Sequence, residues 1–459
     1  MRLVTTKYQL VCNTLFTLFW VLATYNFVVQ EATGDEVPSV ELGVRLMAQG
    51  MLVVLGLWTL RNKIDIAVIS IFTVFTLIGT CWVNGLSLMN WVDGVRLYVC
   101  FLFIVPILRY LLSDREKRSY FIHRMDRNLY RFLWLQAPCI LTQFFRYNNL
   151  DLVGGSLGYM MSGAISNLIY LVSFYLMLRS WNPAKSYLAN LKDNRVLVFL
   201  LFLTFLNETK VSFVFLLLYF FFLIPMDRKF LRQLIWLLPL IAAVFGGALY
   251  VYINVTGNKD SVASQAAMAR YLMGDEAGLN MVENVLEKNH EFMETDMARG
   301  LKFIITPAIM NRNPPAWVWG YGIGLYKVGE SSNKNEFAKR YQWLLQGTMI
   351  QSHVVWIEMG LGGVALYFIY WLVMLKVFRR RVKRNKQLQW MLGMNVLVAT
   401  VYNAPFFIIP FCIIFLYMVL LSGDWEGVPA YKPVSILGSR PVRWSLKASE
   451  EENRGVLRQ

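Results

Sequence analysis

Three histidines occur in the chain, and they sit in different contexts. His123 lies in the basic run "DREKRSYFIHRMDR" and reads as solvated; His290, in "EKNHEFMETD", reads as part of an exposed helix face. His353 stands in "QSHVVWIEMGLGG", where a polar stretch gives way to an apolar one. An imidazole placed there is partly desolvated yet reachable from water, and an ordinary pKa near 6.5 suits it to general-base work. A histidine that merely caps or fills a helix start fits the same position. Glu358 lies five residues on, about a turn and a half of helix away, which is oblique for direct pairing.

The second set of chemically capable residues is cationic. Asn207, Glu208, Thr209 and Lys210 interrupt the otherwise apolar stretch 196–225. An ionisable group near a bilayer centre costs roughly 2.5–3.5 kcal/mol, so the patch needs a reason. It reads either as the lining of a cavity open to one face or as a Glu–Lys pair between helices. Arg45, Arg96 and Arg146 fall at the outer ends of expected spans, and Arg299 opens an apolar helical stretch. Each arginine could snorkel to headgroups. Together with Lys210 they would suit an anionic ligand such as a lipid-linked diphosphate.

Other chemistries find no support. The sequence has no H-x-x-x-H, H-E-x-x-H, Walker or Gly-x-Ser-x-Gly motif, and no acidic cluster recommends a metal, so neither metal nor cofactor is expected. The glycines of "WGYGIG" read first as turn formers, because no strand–loop–helix unit frames them as a phosphate loop. Cysteines 12, 81, 100, 139 and 412 lie in apolar segments without paired spacing and read as small core residues.

The elements that must position these residues are membrane helices. Hydrophobic residues make up 56% of the chain and charged ones 16%, and windows of about 20 apolar residues recur, enough to span ~30 Å of hydrocarbon. The expected fold is an all-α polytopic membrane protein of about twelve transmembrane helices. Spans are predicted near 8–29, 40–60, 64–83, 95–112, 131–149, 160–178, 196–207, 211–225, 233–253, 352–375, 388–403 and 406–422. "MRLVTTK" ahead of the first span reads as the flank of a retained helix. The positive-inside rule puts Arg61 and Lys63, "DREKRSYFIHRMDR", the 185–195 segment and "RRRVKRNK" on the cytoplasmic side. This explains the net charge of +16 without a nucleic-acid partner. Segment 254–351, with ten basic and ten acidic residues, suits a translocated loop. The organisation predicted is helices 1–9 over 1–253, a large and mainly helical outer loop over 254–351, helices 10–12 over 352–422, and a polar cytoplasmic tail over 423–459.

With these residues in view, the chain resembles the superfamily of O-antigen ligases and Wzy-type O-antigen polymerases, bacterial inner-membrane glycosyltransferases. Four stretches carry the resemblance, in order over residues 150–365: "VGGSLGYMMSG", "LNETKVSF", "ARGLKF…NPPAWVWGYGIG" and "SHVVWIEMGLGG". Two departures stand out: Lys210 falls where the family has a helix-opening arginine, and Val354 replaces an asparagine.

The resemblance implies a donor glycan on undecaprenyl diphosphate in the outer leaflet and an active site facing the periplasm. It implies His353 as the base that deprotonates an acceptor hydroxyl, with Glu358 in the same motif. Arg299 and Lys210 would hold the departing diphosphate, Lys210 without arginine's bidentate fork. Glu208 would either orient Lys210 or bind sugar hydroxyls. The first expectation is a repeat-unit polymerase for exopolysaccharide or O-antigen, working beside a chain-length regulator. The alternative is a ligase that moves glycan onto lipid A–core, in lipopolysaccharide synthesis. The helix-opening Glu–Thr–Lys and the neutral outer loop favour polymerase. A polysaccharide or lipid transporter is the rival from another class, disfavoured because polar residues gather at outer ends rather than along a continuous path.

Overall fold

The computed structural model describes residues 6–34, 38–147, 152–159, 161–182, 185–207, 299–325, 336–345, 350–381 and 393. Every regular element among them is helical. Five helices are long and apolar enough to cross a membrane: Lys7–Thr33, Ser39–Thr59, Lys63–Val83, Leu88–Leu111 and Gln351–Val373. They coincide with the expected spans near 8–29, 40–60, 64–83, 95–112 and 352–375. The fourth begins earlier than expected because Ser87 caps it, its hydroxyl accepting from the Asn90 N–H at 3.2 Å. The expected spans at 211–225, 233–253, 388–403 and 406–422, most of the 254–351 loop and the tail lie outside the described residues, as do Glu208, Lys210, His290 and Cys412.

The first helix shows why the core forms where it does. Tyr8, Cys12, Leu15, Phe19 and Leu22 recur at helical spacing, and all are buried in one cluster with the helices Pro38–Thr59, Val99–Leu111 and Ser162–Ser180. Cys12, Cys100 and Cys139 are buried, Cys81 is half-buried, and all four are free thiols. A second, smaller cluster gathers Ile305, Ile309, Tyr321, Phe337, Leu344 and Ile357. It joins segments of the 254–351 region to the start of the Gln351–Arg381 helix.

Two features depart from the sequence reading. The basic run at 114–127 was expected to be a loop but forms the first turns of one helix, Arg115–Tyr147. Its buried Phe121, Ile122, Met125 and Leu129 make an apolar stripe that the surrounding charges obscure. Asp126 on that stripe is buried and accepts from Tyr175 Oη at 2.9 Å and from Arg179, whose Nη2 is at 2.9 Å. Near the 207–210 patch, the expected short span is a helix over Arg195–Phe202 that tightens into a 3₁₀ turn over Leu203–Asn207.

The glycine-rich segment at 153–158 is buried yet irregular, so its backbone needs partners from elsewhere. Two glutamines seven residues apart on the Arg115–Tyr147 helix supply them. Gln143 accepts from the Gly155 N–H at 2.7 Å and donates to the Gly155 carbonyl at 3.1 Å. Gln136 accepts from the Ser156 N–H at 3.0 Å and donates to the Ser156 hydroxyl at 2.8 Å. The Tyr159 N–H is taken by Gln30 at 2.6 Å. Side-chain amides thus replace the helix ladder, the condition on which broken backbone survives away from water.

Gln143→Leu keeps the volume but strands the Gly155 N–H, while the Gly155 carbonyl keeps the Gly158 N–H at 3.1 Å. We expect it to cost about 1–3 kcal/mol for that one group left unpaired. Thermal unfolding in lipid nanodiscs should show a clear fall in midpoint for Gln143→Leu and little change for Leu141→Ala, whose side chain is exposed. An unchanged midpoint for Gln143→Leu would contradict this assignment.

Candidate functional site

The site is built where two segments meet: the helix Arg299–Asn311 and the first turns of the helix Gln351–Arg381. The second helix carries a break. Gly360 has φ 62° and ψ −163°, a conformation essentially reserved to glycine. A helix broken there cannot return N–H groups to the carbonyls of Ile357 and Glu358. Those carbonyls instead accept from the Tyr321 N–H at 2.9 Å and the Gly322 N–H at 3.1 Å.

The turn at 320–324 is therefore locked onto the break. Glu358, fully buried, reinforces it with its side chain: Oε1 accepts from the Gly324 N–H at 3.0 Å, and Oε2 from the Tyr98 hydroxyl at 2.6 Å. From the other side, Thr80 Oγ1 accepts from the Ile323 N–H at 3.2 Å, and Asn84 donates to the Gly320 carbonyl at 3.1 Å. The Gly320 N–H bonds the Ala316 carbonyl at 2.9 Å. All five N–H groups of the turn are thus engaged within the protein. The turn-former reading of these glycines holds, and the turn offers no donor row to a phosphate. Close approach explains the residue type: a Cβ on Gly360 would meet the Val318 carbonyl carbon at 2.5 Å, and one on Gly94 the Ile323 carbonyl carbon at 2.6 Å.

The locked turn also seats the Arg299–Asn311 helix. Tyr321 donates its hydroxyl to the Ile309 carbonyl at 3.1 Å and stacks on Phe337 at 3.9 Å. Burial pushes that hydroxyl up to about 12, so it remains a donor at physiological pH. Pro307 lacks the N–H that would bond the Phe303 carbonyl four residues back in the helix.

His353 packs against this part of the helix. It is fully buried, where the sequence suggested an imidazole still reachable from water. Its Nε2 lies 2.9 Å from Thr306 Oγ1, and its ring meets Phe303 edge to face at 5.3 Å. Thr306 Oγ1 also lies 2.7 Å from the Lys302 carbonyl. Lys302 is fully buried, and both its charge and its backbone lie close enough to interact with the imidazole.

The remaining expected site residues fall as follows. Arg299 opens its helix, one turn before Lys302. Glu358 is brought to the glycine turn and to Tyr98. The three outer arginines each have a carboxylate partner: Arg45 with Glu41, Arg96 with Asp93 at 3.8 Å, and Arg146 with Glu31 at 2.7 Å. Lys302, Thr306 and Tyr98 were passed over in the sequence reading. Lys302 carried a signal, a cation one turn from Arg299. Tyr98 carried none, since its partner is 260 positions away. In comparison with known proteins, no family model matches the chain, and no curated protein matches it.

Gly360→Ala should destabilise the protein by on the order of 3 kcal/mol, combining a glycine-only conformation with a steric clash. Gly50→Ala, in an open part of a helix where a Cβ meets nothing within 4 Å, should be neutral or stabilising by about 0.5–1 kcal/mol. Equal unfolding midpoints for the two variants in nanodiscs would remove the lock from the structure.

Proposed function

We propose that this chain is a polysaccharide polymerase, a membrane glycosyltransferase that moves glycan from undecaprenyl diphosphate onto a hydroxyl of another lipid-linked unit. The observation that carries the reading is the buried pair of His353 and Lys302: a proton acceptor within electrostatic reach of a cation, one turn from Arg299. Transfer from a diphosphate needs both, a base for the attacking hydroxyl and positive charge for the leaving group.

In this reading the attacking oxygen gives its proton to His353 as it bonds to the anomeric carbon. The bond from that carbon to the diphosphate oxygen breaks, and its electron pair leaves with the diphosphate. Lys302 joins Arg299 and Lys210 in neutralising the charge that develops there. Arg45, Arg96 and Arg146 are demoted to secondary candidates, since each already faces a carboxylate. Glu358 acts by holding the turn rather than by taking a proton. The burial of His353 fits transfer in preference to hydrolysis, because water has no free access to the base. The acceptor must then open the cover over the imidazole as it binds.

The reading places the protein in a bacterial inner membrane with twelve spans, both termini in the cytoplasm and the 254–351 loop in the periplasm. A ligase acting on lipid A–core is the second reading, favoured by the same base and cation. The balanced charge of the outer loop speaks against a heavily phosphorylated acceptor.

His353→Ala should lower glycan transfer by at least ~10²-fold in proteoliposomes supplied with an undecaprenyl-diphosphate oligosaccharide, with insertion unchanged. Full activity in that variant would end the proposal. Deleting the gene decides between polymerase and ligase on a gel of surface glycan. Polymerase loss should leave single repeat units, whereas long chains retained on undecaprenyl diphosphate would identify a ligase.

A further inference from the structure

Thr306 stands at the centre of a small hydrogen-bond chain that fixes more than the position of His353. Its hydroxyl has one proton and two neighbours, the Lys302 carbonyl at 2.7 Å and His353 Nε2 at 2.9 Å. A carbonyl oxygen can only accept, so the 2.7 Å contact needs the threonine proton; without it, two oxygen lone pairs would face each other. The hydroxyl proton is therefore spent on Lys302, and toward the imidazole Thr306 offers only a lone pair. His353 must donate.

We propose that Thr306 holds His353 as the Nε2–H tautomer, so that Nδ1 is the atom that takes the proton of the acceptor hydroxyl. The role of Nδ1 rests on the function proposed above; the tautomer itself does not. Two bonds, from Nε2–H to Thr306 Oγ1 and from Thr306 Oγ–H to the Lys302 carbonyl, set the ring's orientation from a helix fixed by the glycine turn. When Nδ1 gains a proton from the acceptor oxygen, the ring becomes an imidazolium whose Nε2–H remains bonded to Thr306. Release of the Nδ1 proton to the departing diphosphate restores the neutral ring. Thr306 is a positioning residue here: it touches the base and not the substrate. It also explains why a threonine serves one turn after a lysine, since its methyl can pack while its hydroxyl bridges the two segments.

The chain's three histidines make the tautomer measurable. Protein labelled with ¹⁵N-histidine in nanodiscs would be compared with His353→Gln to assign the ring nitrogens. In wild type, His353 should show a protonated Nε2 and a bare Nδ1. Thr306→Val, close in shape but without the hydroxyl, should lose that bias and lower kcat at least about tenfold, with KM for donor and acceptor little changed. Thr306→Ser should recover both the spectrum and most of the turnover. A protonated Nδ1 in wild type overturns the assignment, as does Thr306→Val with unaltered spectrum and kcat. The wild-type spectrum decides alone if Thr306→Val fails to fold. Full turnover by His353→Gln would instead remove the base role, while the spectrum still reports whether Thr306 sets the tautomer.

Discussion

The break at Gly360 is the constraint on which the site depends. A continuous helix would consume the carbonyls of Ile357 and Glu358 internally and leave the 320–324 turn without anchors. The break frees them, and the turn's N–H groups take them up. Each such bond contributes only about 0.5–1.5 kcal/mol net, but leaving a buried partner unmade costs about 1–3 kcal/mol. Turn and break are therefore stable together and costly apart. Glu358 binds the same junction through three oxygens: its own carbonyl to Gly322, Oε1 to Gly324 and Oε2 to Tyr98.

Everything at the candidate site follows from that junction. The turn carries Tyr321, Tyr321 holds the end of the Arg299–Asn311 helix, and that helix presents Lys302 and Thr306 to His353. His353 itself sits two turns before the break on the other partner. Both halves of the site are thus referenced to one joint, so His353, Thr306 and Lys302 are held at fixed distances from one another. Distributed glycines make the joint possible: Gly320 lies against the Glu358–Met359 backbone, Gly360 against the Val318 carbonyl, and Gly94 admits Ile323.

Much of this was legible in the sequence, and the parts that were not share a cause. Apolar windows of spanning length located the five described candidate spans, and prolines and glycines located the turn that precedes the last of them. His353 and Arg299 stood out because a polar side chain beginning an apolar helix is rare. Glu358 stood out too, but its duty to the turn depends on Tyr98, which no local pattern connects to it. The pairing of Gln136 and Gln143 with 155–156 was likewise hidden, since a glutamine on an amphipathic helix looks solvated. The partners of Arg45 and Arg96 lie four and three residues away, at Glu41 and Asp93, and were within reach of a spacing argument. The helix over 114–127 was missed because its apolar stripe is narrow and its charges many.

Amide hydrogen exchange of the 320–324 segment in nanodiscs tests the joint most directly. If Tyr321, Gly322 and Gly324 donate to Ile357 and Glu358, their amides should exchange as slowly as those of the adjoining helix, far below the rate of an open loop. Exchange of these amides at the rate of a solvated glycine loop would show that the turn is not bound to the break, and the placement of His353 against Lys302 and Thr306 would fall with it.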